Sequence, residues 1–144
     1  TTVEDEIAFA LENMAVPAAE IRQKVDEILD FLQITHLRLQ NPGRLSGGQK
    51  QLTAIGFVLV LSPQVIIFDE PMSHLDEKGR VMVKHTLENL KAAGKTAIVV
   101  EHNLHLIDFA DSWLLLNNGS LAALAAPDQI LTQKDLLDSL NLIF

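Results

Sequence analysis

Two short apolar runs constrain this chain most: "VIIF" at Val65–Phe68 and "TAIVV" at Thr96–Val100. Both are rich in β-branched residues, and neither alternates with polar ones. Such a run suits a strand buried on both faces of a parallel sheet. Between them, from Asp76 to about Ala93, Val83, Leu87 and Leu90 recur at helical spacing, and Gly94 closes the stretch. Alternating strands and helices mark an α/β sheet. The expected fold class is therefore α/β.

Upstream, the pattern is helical. Thr1 or Thr2 can cap a first helix, with Glu4, Asp5 and Glu6 favourable in its first turn. Val3, Ile7, Ala10, Leu11 and Met14 form its expected inner stripe. After the break at Val16-Pro17, a second helix carries Ile21, Val25, Ile28, Leu29 and Leu32. A third, with Leu52, Ile55, Gly56 and Leu59 inward, runs from Ser46 to Pro63. Downstream, Leu104–Ala110 reads as a short helix. "WLLLNNGSLAAL" reads as a hairpin turning at Asn118-Gly119. Pro127–Leu131 and Lys134–Leu140 read as closing helices. The expected division is a helical part over 1–61 and the α/β part over 62–144.

Composition narrows the chemistry. With no cysteine among 144 residues, disulfides and thiolate metal sites are excluded. Nucleic-acid binding depends on Lys and Arg neutralising phosphates. Here 11 basic residues face 19 acidic ones, a net charge of −8, so the surface as a whole is a poor polyanion binder. The longest apolar run, Leu52 to Leu61, is too short to span a bilayer.

Three clusters can carry chemistry. In "RLSGGQKQ", Ser46 is placed to cap the third helix, and Gln49 stands at capping-box spacing. Gly47 and Gly48 let backbone N–H groups approach a ligand, and a helix start adds positive partial charge. The same pattern also serves a plain capped helix. In "VIIFDEP", Asp69 and Glu70 follow an apolar strand, and ligands of open α/β sheets sit at the carboxyl ends of strands. A carboxylate there can hold Mg²⁺, and a second can orient water or accept its proton. The alternative is a solvated loop end. In "IVVEHN", His102 follows the second run, at the same expected end of the sheet. Taken alone, a histidine there also serves structure.

Together these stretches resemble the nucleotide-binding domains of ABC ATPases. "LSGGQ" at Leu45–Gln49 is similar to the family's signature motif. "VIIFDE" at Val65–Glu70 resembles its Walker B strand and the glutamate that follows. "SHLD" at Ser73–Asp76 resembles the D-loop, and His102 the switch histidine. The ordered set is far more specific than any single motif.

The resemblance implies part of a P-loop NTPase domain, a helical subdomain followed by a parallel-sheet core with a hairpin and closing helices. In this family two domains pair head to tail around two ATP molecules. It implies that Ser46, Gly47 and Gly48 face the γ-phosphate of ATP held by a partner domain, with Gln49 ordering their loop. Asp69 would coordinate Mg²⁺ through water, Glu70 would be the catalytic base, His102 would contact the γ-phosphate, and Asp76 would bridge the two domains. His74 departs from the usual D-loop alanine. Leu52 and Thr53 stand where an arginine and an aliphatic residue are usual.

The sequence contains no Gly-x-x-x-x-Gly-Lys-Ser/Thr phosphate loop. The expectation is a C-terminal portion of an ABC domain that is inactive alone. The resemblance is greatest to importers of the energy-coupling-factor type, for vitamins, cobalt or nickel. It implies a second ABC ATPase domain, identical or paralogous, and integral membrane subunits as partners, with no nucleic acid. The location implied is peripheral, on the cytoplasmic side of the membrane. A soluble ABC ATPase acting on nucleic acid or ribosomes is the alternative, which the acidic balance disfavours.

Overall fold

A computed structural model describes residues 1–140 and 142. Its elements are α1 (Val3–Asn13), α2 (Ala18–Phe31), α3 (Gly47–Leu59), β1 (Val65–Asp69), α4 (Glu77–Ala92), β2 (Thr96–Val100), β3 (Trp113–Asn117), β4 (Ser120–Ala125), α5 (Pro127–Leu131) and α6 (Lys134–Ser139). The expected closing helix over Lys134–Leu140 stops at Ser139.

Helix α1 starts where the capping chemistry says it must. The Thr2 hydroxyl accepts the Asp5 N–H, and the Asp5 carboxylate accepts the Thr2 N–H at 2.8 Å. Two more of its free donors, Val3 N–H and Glu4 N–H, go to the carbonyls of Gln40 and Arg38. That satisfies groups every helix start leaves open. The Arg38 guanidinium also bonds Asp26 on α2 and Glu4 on α1, and both contacts raise its pKa, Asp26 more strongly. One loop thereby ties two helices. Val3, Ile7, Ala8 and Leu11 form the buried stripe. The expected membership of Met14 is corrected: it is 66% exposed, because Ala15 turns the chain away with a left-handed backbone.

Helix α3 is central, packing against both α1 and α4. Leu52, Ile55, Gly56 and Leu59 are all buried, as the spacing predicts. Val83, Leu87 and Leu90 turn inward from α4. Each such aliphatic side chain contributes roughly 1.5–3 kcal/mol on leaving water.

Strands β1 and β2 pair in parallel, Val65 opposite Thr96 through Asp69 opposite Val100. Helix α4 is the crossover between them and packs on β2. The expectation of burial on both faces is corrected here. Ile66 and Phe68 enter the core, while Val65, Ile67, Ile98 and Val100 share the other face and remain about half exposed or more. A strand alternates its side chains, so a second covering layer is needed to bury that face, and the described residues supply one layer only.

The hairpin β3–β4 turns at Asn118-Gly119, both with positive φ, as a tight two-residue turn requires. Trp113 and Leu115 face the core, and the Trp113 indole N–H donates to the Ile107 carbonyl at 2.9 Å. Leu114, Leu116, Leu121 and Leu124 stay exposed. The helix expected over Leu104–Ala110 reduces to one 3₁₀ turn, Leu104–Leu106, capped by the Asn103 side chain.

Candidate functional site

Parallel pairing puts the carboxyl ends of β1 and β2 together, and with them the residues that follow. Asp69 ends β1, opposite Val100. The Glu70 N–H then donates to the Val100 carbonyl at 3.0 Å, extending the ladder by one step. This directs Glu70 toward the segment after β2: its Oε1 lies 3.8 Å from His102 Nδ1. Both side chains are open to solvent, as is Asp69.

The turn after β1 is held under strain. Glu70 has φ +44 and His74 φ +59, left-handed values that cost a non-glycine residue on the order of 1–3 kcal/mol. The Glu70 carbonyl offsets part of this by accepting both the Ser73 N–H and the Ser73 hydroxyl, at 3.1 and 2.9 Å. Pro71 and Met72 are buried beneath the turn, so it is anchored. Strain of this kind persists only where surrounding structure enforces it.

A second corner forms at the starts of α3 and α4. Ser46 caps α3 with a reciprocal box: its hydroxyl accepts the Gln49 N–H at 3.3 Å, and Gln49 Oε1 accepts the Ser46 N–H at 3.0 Å. Asp76 caps α4 by accepting the Gly79 N–H at 2.8 Å. Ser46, Gly47 and Asp76 are exposed, whereas Gly48 is buried against α4. The structure thus collects the sequence-derived residues into two groups: Asp69, Glu70 and His102 on the sheet rim, and Ser46, Gly47, Gly48, Gln49 and Asp76 at the helix corner. The strained segment from Glu70 to Asp76 joins them.

Among the described residues no cluster of three His, Asp or Glu side chains is placed to hold a metal by protein ligands alone. An exposed carboxylate pair is instead the donor set for an ion that takes most of its ligands from phosphate and water, as Mg²⁺ does. Sequence reasoning passed over two neighbours. Glu101 directly follows an apolar strand, and its Oε1 is buried without a hydrogen-bond partner. It shares with Asp69 a place at the carboxyl end of an apolar strand. Gly79 carried no local signal at all.

The class follows from this geometry and from comparison with known proteins. The profile of the family described as ABC transporter matches residues 1–73, half of the chain. The chain belongs to that family, and its α/β fold is that of ABC ATPase domains. The particular relatives are informative. The energy-coupling factor transporter ATP-binding protein EcfA1 of Mycoplasmoides gallisepticum is 39% identical over 141 residues, covering 98% of this chain and 50% of the relative. EcfA1 of Streptococcus mutans is 37% identical over 142 residues, covering 98% of this chain and 51% of that protein. Among solved structures, cbiO1 from Clostridium perfringens, part of the ABC transporter complex cbiONQ, superimposes with a TM-score of 0.85 at 31% identity. That match covers 98% of this chain and 57% of cbiO1. The chain therefore spans about half the length of the relatives it matches.

Proposed function

We propose that these residues are part of an ATP-hydrolysing subunit that powers import of a small solute, a vitamin or a metal ion, across a membrane. The observation that carries this reading is the approach of Glu70 to His102 at the shared carboxyl rim of β1 and β2. A carboxylate held beside an imidazole, both open to solvent, suits a pair that positions an attacking water and accepts its proton.

In this reading Glu70 takes the proton of the water that attacks the γ-phosphate of ATP. His102 donates to a γ-phosphate oxygen. Asp69 would hold Mg²⁺, which when bound would supply neutralisation of charge on the phosphates. Ser46, Gly47 and Gly48, at the N-terminus of α3, present hydroxyl and backbone donors to ATP held by a second ABC ATPase domain, identical or paralogous. Gln49 orders that loop through the reciprocal cap. Asp76 contacts the second domain. We assign 1–61 to the helical subdomain that faces integral membrane subunits and 62–144 to the ATPase core, peripheral on the cytoplasmic face of the membrane. No helix among the described residues is long and apolar enough to cross a bilayer. Lacking a phosphate-loop motif, the 144 residues alone are expected not to hydrolyse ATP.

The test is Glu70→Gln in the complete ATPase, assembled with its partners. The amide keeps the shape and removes the base. Turnover is expected to fall on the order of a hundredfold or more while ATP binding persists. Turnover at the wild-type rate would remove Glu70 from this role.

A further inference from the structure

The starts of α3 and α4 touch through two glycines. A Cβ on Gly48 would fall 2.6 Å from the Gly79 α-carbon, and one on Gly79 would fall 3.2 Å from the Gly48 α-carbon. Backbone meets backbone, so neither side can yield by turning a side chain. A Cβ on Gly79 would also lie 2.9 Å from Asp76 Oδ1, the atom that accepts the Gly79 N–H. Gly79 needs no unusual backbone angle, being an ordinary residue in the first turn of α4. Glycine inside a helix is destabilising relative to alanine. What requires it here is space.

Leu75 completes the corner. Its Cδ2 would lie 3.2 Å from a Cβ on Gly47. The loop that carries Ser46 therefore rests on two residues of the segment around Asp76, one at each glycine of the Ser46-Gly47-Gly48 run.

We infer that Gly79 is a positioning residue: by seating Gly48, it fixes the Ser46 loop relative to Asp76, so that both are presented to the partner domain as one rigid corner. This rests on the functional reading above. An added methyl at position 79, only 3.2 Å from the Gly48 α-carbon, would push α3 outward at its first turn by a few tenths of an ångström. The Ser46 hydroxyl would then be displaced from the partner's nucleotide while Glu70 and His102, at the ends of the strands, stay in place. A misplacement of about 1 Å can cost about a hundredfold in rate, so this smaller shift is expected to cost several-fold.

The variant to make is Gly79→Ala, with Gly94→Ala as its control. Gly94 has φ +71 and nothing within 4 Å of an added Cβ. Its alanine variant therefore loses stability through backbone strain without touching the corner. In the assembled ATPase, Gly79→Ala is expected to lower kcat several-fold, roughly threefold to tenfold, with the Kd for ATP of the unpaired subunit unchanged. Gly94→Ala should match it in lowered Tm and keep wild-type kcat. In the 144-residue chain, Gly79→Ala should shift the amide resonances of Ser46–Gln49, and Gly94→Ala should leave them in place.

Loss of turnover in Glu70→Gln together with wild-type kcat in Gly79→Ala overturns the positioning role and leaves the functional reading standing. Wild-type turnover in Glu70→Gln overturns the functional reading, and the amide shifts still decide whether Gly79 sets the loop. Should Gly79→Ala not fold, Leu75→Ala withdraws support from Gly47 without adding volume. A several-fold fall in kcat is expected, and unchanged kcat refutes the proposal.

Discussion

The helices before residue 60 each bury one apolar stripe, leaving single residues such as Phe9 and Met14 exposed, whereas the sheets after residue 64 leave a whole apolar face open. In the helical region Ile7 and Leu29 are fully buried and Leu52 is 1% exposed. In the sheets, Ile67 is 69% exposed and Leu116 63%. Both regions are written in the same residues, and the difference is geometric. A helix hides one stripe, and neighbours close in sequence can cover it: α1, α2 and α3 cover one another. A strand presents two faces, and a parallel pair hides both only when layers lie on each side. Here α4 and the core cover one face, and Val65, Ile67, Ile98 and Val100 look outward from the other. Large exposed apolar patches mark surfaces that meet another polypeptide.

The largest expected effect separates the two regions directly. Ile7→Ala should cost about 2–5 kcal/mol in urea denaturation, since it leaves a cavity in a packed core. Ile67→Ala, at concentrations low enough to keep the chain monomeric, should cost within about 0.5 kcal/mol, as exposed sites do. Equal losses would show that Ile67 is covered in solution and would break the contrast.

Next in size is self-association. Open sheet faces and free edges invite pairing between chains, so the chain is expected to associate as its concentration rises. Lysine at both Ile67 and Leu116 should weaken that association by about tenfold or more, the equivalent of ~1.4 kcal/mol. Sedimentation velocity reads the result. A chain that stays monomeric at high concentration, or an association indifferent to both lysines, would assign the open faces no part in contact between copies.

The smallest effect tests the helical region at its edge. The Asp5 carboxyl lies below its ordinary value, chiefly because the Thr2 backbone N–H donates to it and next because of the Thr2 hydroxyl. With the folded value depressed, the contribution is complete above the ordinary aspartate pKa of about 3.9. It is lost as pH falls through the folded value. The stability difference between the wild type and Asp5→Asn should thus be steady near neutrality and narrow below about pH 4. A difference that stays constant across that range would detach Asp5 from the cap.

Much of the fold was legible because its signals are local. Thr2, Ser46 and Asn118-Gly119 act within a few residues of themselves, and each does in the structure what its spacing predicts. The candidate rim was legible for a related reason: acids after one apolar strand and a histidine after the next come together once those strands run parallel. Met14 and the segment Leu104–Ala110 depart from expectation, because the positive φ at Ala15 and the non-helical backbone at Ile107, φ −125, that ends the turn after Leu106 are invisible to periodicity. Glu101 was passed over beside His102, although the strand-end signal was the same.

By itself the order of residues determined most of the helices and strands and where they start, and that Asp69, Glu70 and His102 lie at strand ends, since those properties depend on neighbours a few positions away. Only the tertiary structure decided that Glu70 comes to 3.8 Å from His102, that one face of β1–β2 is open, and that Gly48 rests on Gly79. Each of these joins segments about thirty residues apart in the chain, and a contact across that span depends on how the intervening elements pack, which no local pattern encodes.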